Sequence, residues 1–125
     1  MEPIEGAAFT PKGWGWERTI VNTPKYCGKV LVFAMGRKCS WHYHALDGKD
    51  ETFLVIRGAL HVTYGPDDDP DSTRNTYVVL RAGRSLRIEP GTRHRMLALE
   101  DTEMVEFSTH DEPADSIKIE RGDTI

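Results

Sequence analysis

The chain has 125 residues, enough for one domain with a hydrophobic core, and carries a formal net charge of −4 with a pI near 5.7. That balance speaks against a nucleic-acid partner or an anionic membrane surface. Two cysteines, Cys27 and Cys39, form no disulfide framework and fit a reducing cytoplasm.

The acidic, polar start from Met1 to Gly6 does not read as a signal peptide. Residues 1–15 are expected to form an N-terminal arm to a single domain over 1–125. Trp14 and Trp16 are spaced to share one face of that arm if it is extended, packing on the domain or on a subunit partner. Short apolar groups rich in β-branched and aromatic residues follow, punctuated by Gly, Pro, Asp and Asn. They predict strands at Glu17–Asn22, Gly28–Met35, Ser40–His44, Glu51–Arg57 and Ala59–Tyr64. Further strands are expected at Thr76–Leu80, Ser85–Ile88, His94–Leu99 and Glu103–Thr109. The run Val30–Met35 is too short to span a bilayer. Gly58 marks a tight turn between two strands, and the acidic stretch Gly65–Asp71 reads as a solvated hairpin tip. No long segment shows a 3.6-residue apolar period, so the rhythm predicts an all-β sandwich or barrel.

Four residues carry chemistry in a pattern. His42 and His44 lie one residue apart, Glu51 follows, and His94 comes after a second Gly-Pro turn. On a strand, residues i and i+2 point to the same face, so the first pair offers two imidazole nitrogens side by side. Imidazole with a carboxylate suits one divalent metal ion such as Mn, Zn, Fe, Co or Ni. Four protein ligands leave positions open on an octahedral ion, which favours ligand binding or catalysis over a structural clip. By the same parity, Cys39, Trp41 and Tyr43 are expected to face away from the histidines. Phe53 and Val55 should share the side of Glu51, and Met96 the side of His94. Glu106 should lie opposite Val105 and Phe107, facing either solvent, the default for a glutamate, or a cavity between the sheets. Lys49 is a candidate cation at the pocket mouth. His110 and Asp111 are candidates for the rim. Arg37, Lys38, Arg84, Arg87, Arg93 and Arg95 are the cations that a phosphate would need, with surface charge as their default.

The segment Gly36-x5-His42-x-His44-x6-Glu51-x6-Gly58 resembles the first cupin motif, and Gly83-x5-Glu89-Pro90-Gly91-x2-His94 resembles the second. The second departs from the usual pattern at Glu89 and at Ala98, and neither departure removes a ligand. The flanks, including Cys39–His44, Lys49–Phe53, Glu106–His110 and Arg121–Asp123, look like single-domain sugar-isomerase cupins. That group includes D-lyxose isomerase-like proteins and the cupin part of type II mannose-6-phosphate isomerases. The resemblance implies a small jelly-roll barrel with a divalent metal inside. It also implies interconversion of aldose and ketose through an enediolate, on a sugar or sugar phosphate. Its Lys-x-Glu spacing makes Lys49, with Glu106, a candidate catalytic proton carrier. Alternatives are a metal-dependent oxygenase and a non-catalytic sugar- or metabolite-binding cupin. A cytoplasmic homodimer is expected, because small barrels leave strand edges to pair.

Overall fold

The computed structural model describes residues 1–2, 8–45 and 48–125. Burial alternates along the central strands, the period of a strand with one face in a core. Strand β3 (Cys27–Phe33) buries Cys27, Lys29, Leu31 and Phe33 and leaves the residues between them half-buried. Strand β10 (Thr102–Ser108) buries Thr102, Met104, Glu106 and Ser108, while Phe107 is exposed. The same rule runs through β5 (Glu51–Arg57) and β9 (Arg93–Ala98).

These strands build two antiparallel sheets that face each other as a small jelly roll. One sheet runs β1-β2-β3-β10-β5-β8, with β1 at Ala8–Lys12, β2 at Gly15–Asn22 and β8 at Ser85–Ile88. The other runs β11-β4-β9-β6-β7, with β4 at Trp41–His44, β6 at Ala59–Gly65, β7 at Thr76–Arg81 and β11 at Ser116–Glu120. A 3-10 turn, Pro113–Asp115, precedes β11. No helix among the described residues is long and apolar enough to cross a membrane.

Two strands lie where no strand was predicted. Within the expected arm, Ala8–Lys12 pairs antiparallel with β2 as an edge strand, while residues 3–7 of that arm lie outside the described residues. Near the C-terminus, β11 pairs with β4. Trp14 and Trp16 do not share a face. Trp14 sits in the core, its ring stacked on Phe33 at 4.1 Å, whereas Trp16 packs against Phe9 further out. Gly15 between them, at φ +152, turns the chain through a conformation other residues rarely adopt.

Inward rows change character along their length. Phe33, Phe53, Val55, Leu60, Val62 and Met104 fill one end, each 0–1 % exposed. Burying a side chain of this kind stabilises the fold by roughly 1.5–3 kcal/mol. Toward the other end the same rows carry Lys29, Glu51, His94 and Glu106. The register aligns them: Glu106 lies opposite Lys29 on one side and Phe53 on the other, and Ser108 lies opposite Glu51. Gly58 makes the β5–β6 turn at φ +91, and a Cβ there would collide with the Asp101 carbonyl.

Candidate metal centre

Strand β4 presents His42 and His44 on one face, and β9 brings His94 directly opposite His42. One ligand atom from each of the three rings lies within 4.8 Å of the others, so they are positioned to hold a metal ion. His42 Nδ1 is 2.9 Å from the Ser40 carbonyl and His94 Nδ1 is 3.0 Å from the Thr92 carbonyl. A carbonyl only accepts, so each ring donates its Nδ1–H and keeps the Nε2 lone pair free for a ligand bond. His44 Nδ1 is 2.8 Å from Asp115 Oδ1, which selects the same tautomer.

Glu51 Oε2 approaches His44 Nε2 at 3.4 Å and His94 Nε2 at 3.3 Å. Both His44 Nε2 and Glu51 Oε2 are buried with no hydrogen-bond partner. A buried polar atom left unpaired costs about 1–3 kcal/mol. A cation between these atoms would satisfy both, so the residues fit a divalent metal. Protonation agrees. Burial, then the neighbouring His94, lowers His42 to about 3, which keeps the ring neutral and able to coordinate. Burial opposes ionisation of Glu51, but His44 and His94 outweigh it and hold the carboxyl well below its usual range.

The histidines open onto a cavity of about 520 Å³ between the sheets. Phe53, Met96 and Leu31 form its apolar wall, as parity predicted for the first two, and Trp14 adds an indole. Glu106, which parity placed opposite Val105 and Phe107 without deciding between solvent and cavity, faces in and is 7 % exposed. Burial, and then the charge of Glu51, pushes its carboxyl up to about 7 against the opposing pull of Lys29 and Lys49.

Lys49 does not line the cavity. It is 4 % exposed and set behind the wall, its Nζ 3.0 Å from Asp111 Oδ1 and 3.3 Å from Ser108 Oγ. A lysine that does line the cavity, beside Glu106, is Lys29, with Nζ 2.9 Å from Asp111 Oδ2 and 3.8 Å from Glu17 Oε1. Burial works against its charge, but Glu106, Glu17 and Asp111 raise its pKa above the ordinary lysine value. Sequence reading missed Lys29, although it continues the inward row of Leu31 and Phe33. Asp111 lines the cavity as a rim candidate should, whereas His110 turns away to the Thr23 carbonyl.

Cys39 departs from the expected parity, because β4 begins only at Trp41 and the alternation does not reach back. Its thiol lies in the core and lines the cavity, where it accepts the Met96 N–H at 3.2 Å. Burial raises it to about 11, so it packs there as an inert thiol. Trp41 does face outward, yet it is 0 % exposed, its Nε1 donating to the Asp68 carbonyl at 2.7 Å. None of the arginines weighed for a phosphate lines the cavity. Arg87 clamps Asp50 through two hydrogen bonds, and Arg93 pairs with Asp68 over the Tyr43 ring. Lys12, Lys118 and Arg121 stand at the cavity wall instead.

The cupin domain family matches residues 29–110, spanning the three histidines, Glu51 and Glu106. The chain belongs to the cupin family. Among solved structures, this cupin is similar to the capsular polysaccharide assembling protein CapF from Staphylococcus aureus, at 21% identity and a TM-score of 0.75. That match covers 94% of this chain and 33% of CapF. Oxalate decarboxylase from Bacillus subtilis is similar at 16% identity and a TM-score of 0.76, over 90% of this chain and 30% of that one. KdgF from Halomonas sp. is similar at 17% identity and a TM-score of 0.63, over 79% of this chain and 81% of that one. The chain thus spans about a third of the length of CapF and of the decarboxylase. These likenesses show the shared fold. Among curated protein sequences, none matches.

Proposed function

We propose that this cupin is a metal-dependent isomerase that interconverts an aldose and its ketose, its substrate a sugar or sugar phosphate. His42, His44, Glu51 and His94 would hold one divalent ion of the Mn, Zn, Fe, Co or Ni type. The observation that carries the reading is Glu106. It is a buried carboxyl beside that ligand set, facing the cavity, with a pKa pushed up to about 7. A proton carrier works best when its pKa lies near the working pH.

The metal, when bound, supplies Lewis-acid polarisation of the sugar carbonyl. Glu106 takes the proton from the carbon next to that carbonyl and returns it to the neighbouring carbon. Lys29, directly across the strand pair from Glu106, holds a sugar oxygen by its ammonium and favours the negative charge that develops there. Lys49 braces this arrangement from behind through Asp111 rather than by touching the sugar. Phe53, Met96 and Trp14 keep water from the reacting carbons. The carbohydrate class draws further support from the likeness to CapF, a capsular polysaccharide assembling protein. The setting is proposed as the cytoplasm, with the chain as a homodimer.

The test is exchange of solvent deuterium. Metal-loaded protein is incubated in deuterated buffer with lyxose, mannose, xylulose, fructose and their phosphates, and the sugars are followed by NMR. Turnover with deuterium at the carbon beside the carbonyl is expected. Glu106→Gln should retain the metal and lose about 10²-fold or more in rate. Absence of both turnover and exchange across the panel would move the assignment to a binding module, and oxygen uptake with bound iron to an oxygenase.

A further inference from the structure

Of the three histidines, two are aimed by their own segment and one is not. The Nδ1 partners of His42 and His94 are carbonyls two residues earlier in the chain, Ser40 and Thr92. His44 instead relies on Asp115, which lies 71 residues further along. The cupin match ends at residue 110, so Asp115 comes from outside the matched region.

Asp115 is well placed to act through His44. It is 4 % exposed, and its carboxylate meets Nδ1 at 2.8 Å. Its own carbonyl accepts the Ala45 N–H at 2.8 Å, so backbone and side chain both hold the C-terminal side of β4. From there the chain continues as β11, whose one sheet neighbour among the described residues is β4, with Ser116 opposite His44 and Lys118 opposite His42. Beyond β11 the tail crosses the cavity wall at Arg121–Thr124. It is clasped there by Asp123, whose N–H donates to the Lys38 carbonyl at 2.9 Å and whose Oδ2 accepts the Lys38 N–H at 2.8 Å. Gly122 passes so close to Cys39 and Ser40 that a Cβ would collide with their backbone.

We infer that Asp115 is a positioning residue that couples metal affinity to closure of the C-terminal segment 113–124 over the cavity. The inference rests on the metal reading given above. A carboxylate on Nδ1–H fixes the ring and makes Nε2 a better donor to a cation. The contact exists only when segment 113–124 is docked. An ion that binds more tightly to the docked state therefore stabilises docking by the same factor, because the coupling is reciprocal. The segment both forms part of the cavity wall and helps aim one of the ligands, so loading the metal and closing the wall become one event.

The test uses Co²⁺ as the probe on the full chain. Metal-free protein is titrated with Co²⁺ by its absorption spectrum, and amide exchange of residues 113–124 is followed with and without the ion. Asp115→Ala should weaken Co²⁺ binding by about 10–100-fold, the usual cost of removing such a partner. Asp115→Asn keeps an acceptor oxygen and should recover most of that loss, which a residue that only braces the fold would not predict. In the wild type, Co²⁺ should slow exchange across 113–124; in Asp115→Ala that protection should largely vanish. Equal Co²⁺ affinity in wild type and Asp115→Ala, or equal protection in both, would overturn the inference. Should Asp115→Ala fail to fold, the wild-type exchange decides: no change in 113–124 on adding Co²⁺ also overturns it. A wild type that binds no Co²⁺ at all would instead defeat the metal reading.

Discussion

Burial holds the Glu106 carboxyl near pH 7, so it is protonated in acid and ionised above neutrality. In the proposed role of proton acceptor it must be ionised, so kcat/KM should rise with pH and level off above about 7. Its effect on stability has the opposite sign. The folded state keeps the proton up to about 7, while an unfolded glutamate releases it near 4.5. The folded protein therefore binds more protons in that window and loses stability as pH rises through it. Glu106→Gln removes the cost of ionising there. Thermal melts in chelator should show the variant matching wild type at pH 5 and exceeding it at pH 8, while its activity is lost. The two lysines separate by kinetics. Lys29→Met should lower kcat, because Lys29 lines the cavity across the strand pair from Glu106. Lys49→Met should mainly raise KM, because Lys49 acts through Asp111. A larger fall in kcat for Lys49→Met than for Lys29→Met would reverse these roles. At the ligands, removing His42 and His44 together should abolish bound metal in elemental analysis; full stoichiometry in that double variant would sink the ligand set.

At the scale of the strand, alternation made much of the interior legible in advance. It placed Phe53 and Val55 with Glu51, Met96 with His94, and Glu106 opposite Phe107. It failed where the chain leaves regular extension. Cys39 precedes β4, so counting back in twos misdirected it. β1 was missed because Ala-Phe-Thr-Pro-Lys, nearly all exposed, has no buried alternation to read; only its pairing with β2 makes it a strand. β11 was missed for a related reason, since Ser-Ile-Lys-Ile-Glu is short and half-exposed and depends on β4. Asp115 carried no local signal at all, because its partner His44 is 71 residues away. Side-chain identity alone also put Lys49 before Lys29, since Lys-x-Glu resembles a motif while Lys29 shows only its place in an inward row. Strand β10 makes the contrast within one element. Met104, 0 % exposed in the core, should cost roughly 2–5 kcal/mol in chemical denaturation when changed to Ala.

For the molecule as a whole, the six-stranded sheet ends on β1 and carries Phe9, Ile56 and Phe107 at 47–53 % exposure. An open strand edge invites pairing with a second copy. Sedimentation at micromolar concentration should show a dimer, and a chain starting at Gly13, lacking β1 but keeping Trp14 and β2, should associate more weakly. A single 14.1 kDa species would count against the pairing. Within each copy, the inward rows run from a dry end built on Phe33, Val55 and Met104 to a polar end built on Lys29, Glu51 and Glu106. The residues that hold the barrel together and the polar groups that line the cavity are therefore largely different sets on the same strands, with Trp14, Leu31, Phe53 and Met96 serving in both core and cavity wall. Along β10 a change of two positions, from Glu106 to Met104, passes from the cavity to the dry core. Such a scaffold can exchange the groups at its mouth with little risk to the barrel. Descendants of this chain could then acquire new substrates through a few substitutions at the polar end, while the dry end stays under selection for folding alone.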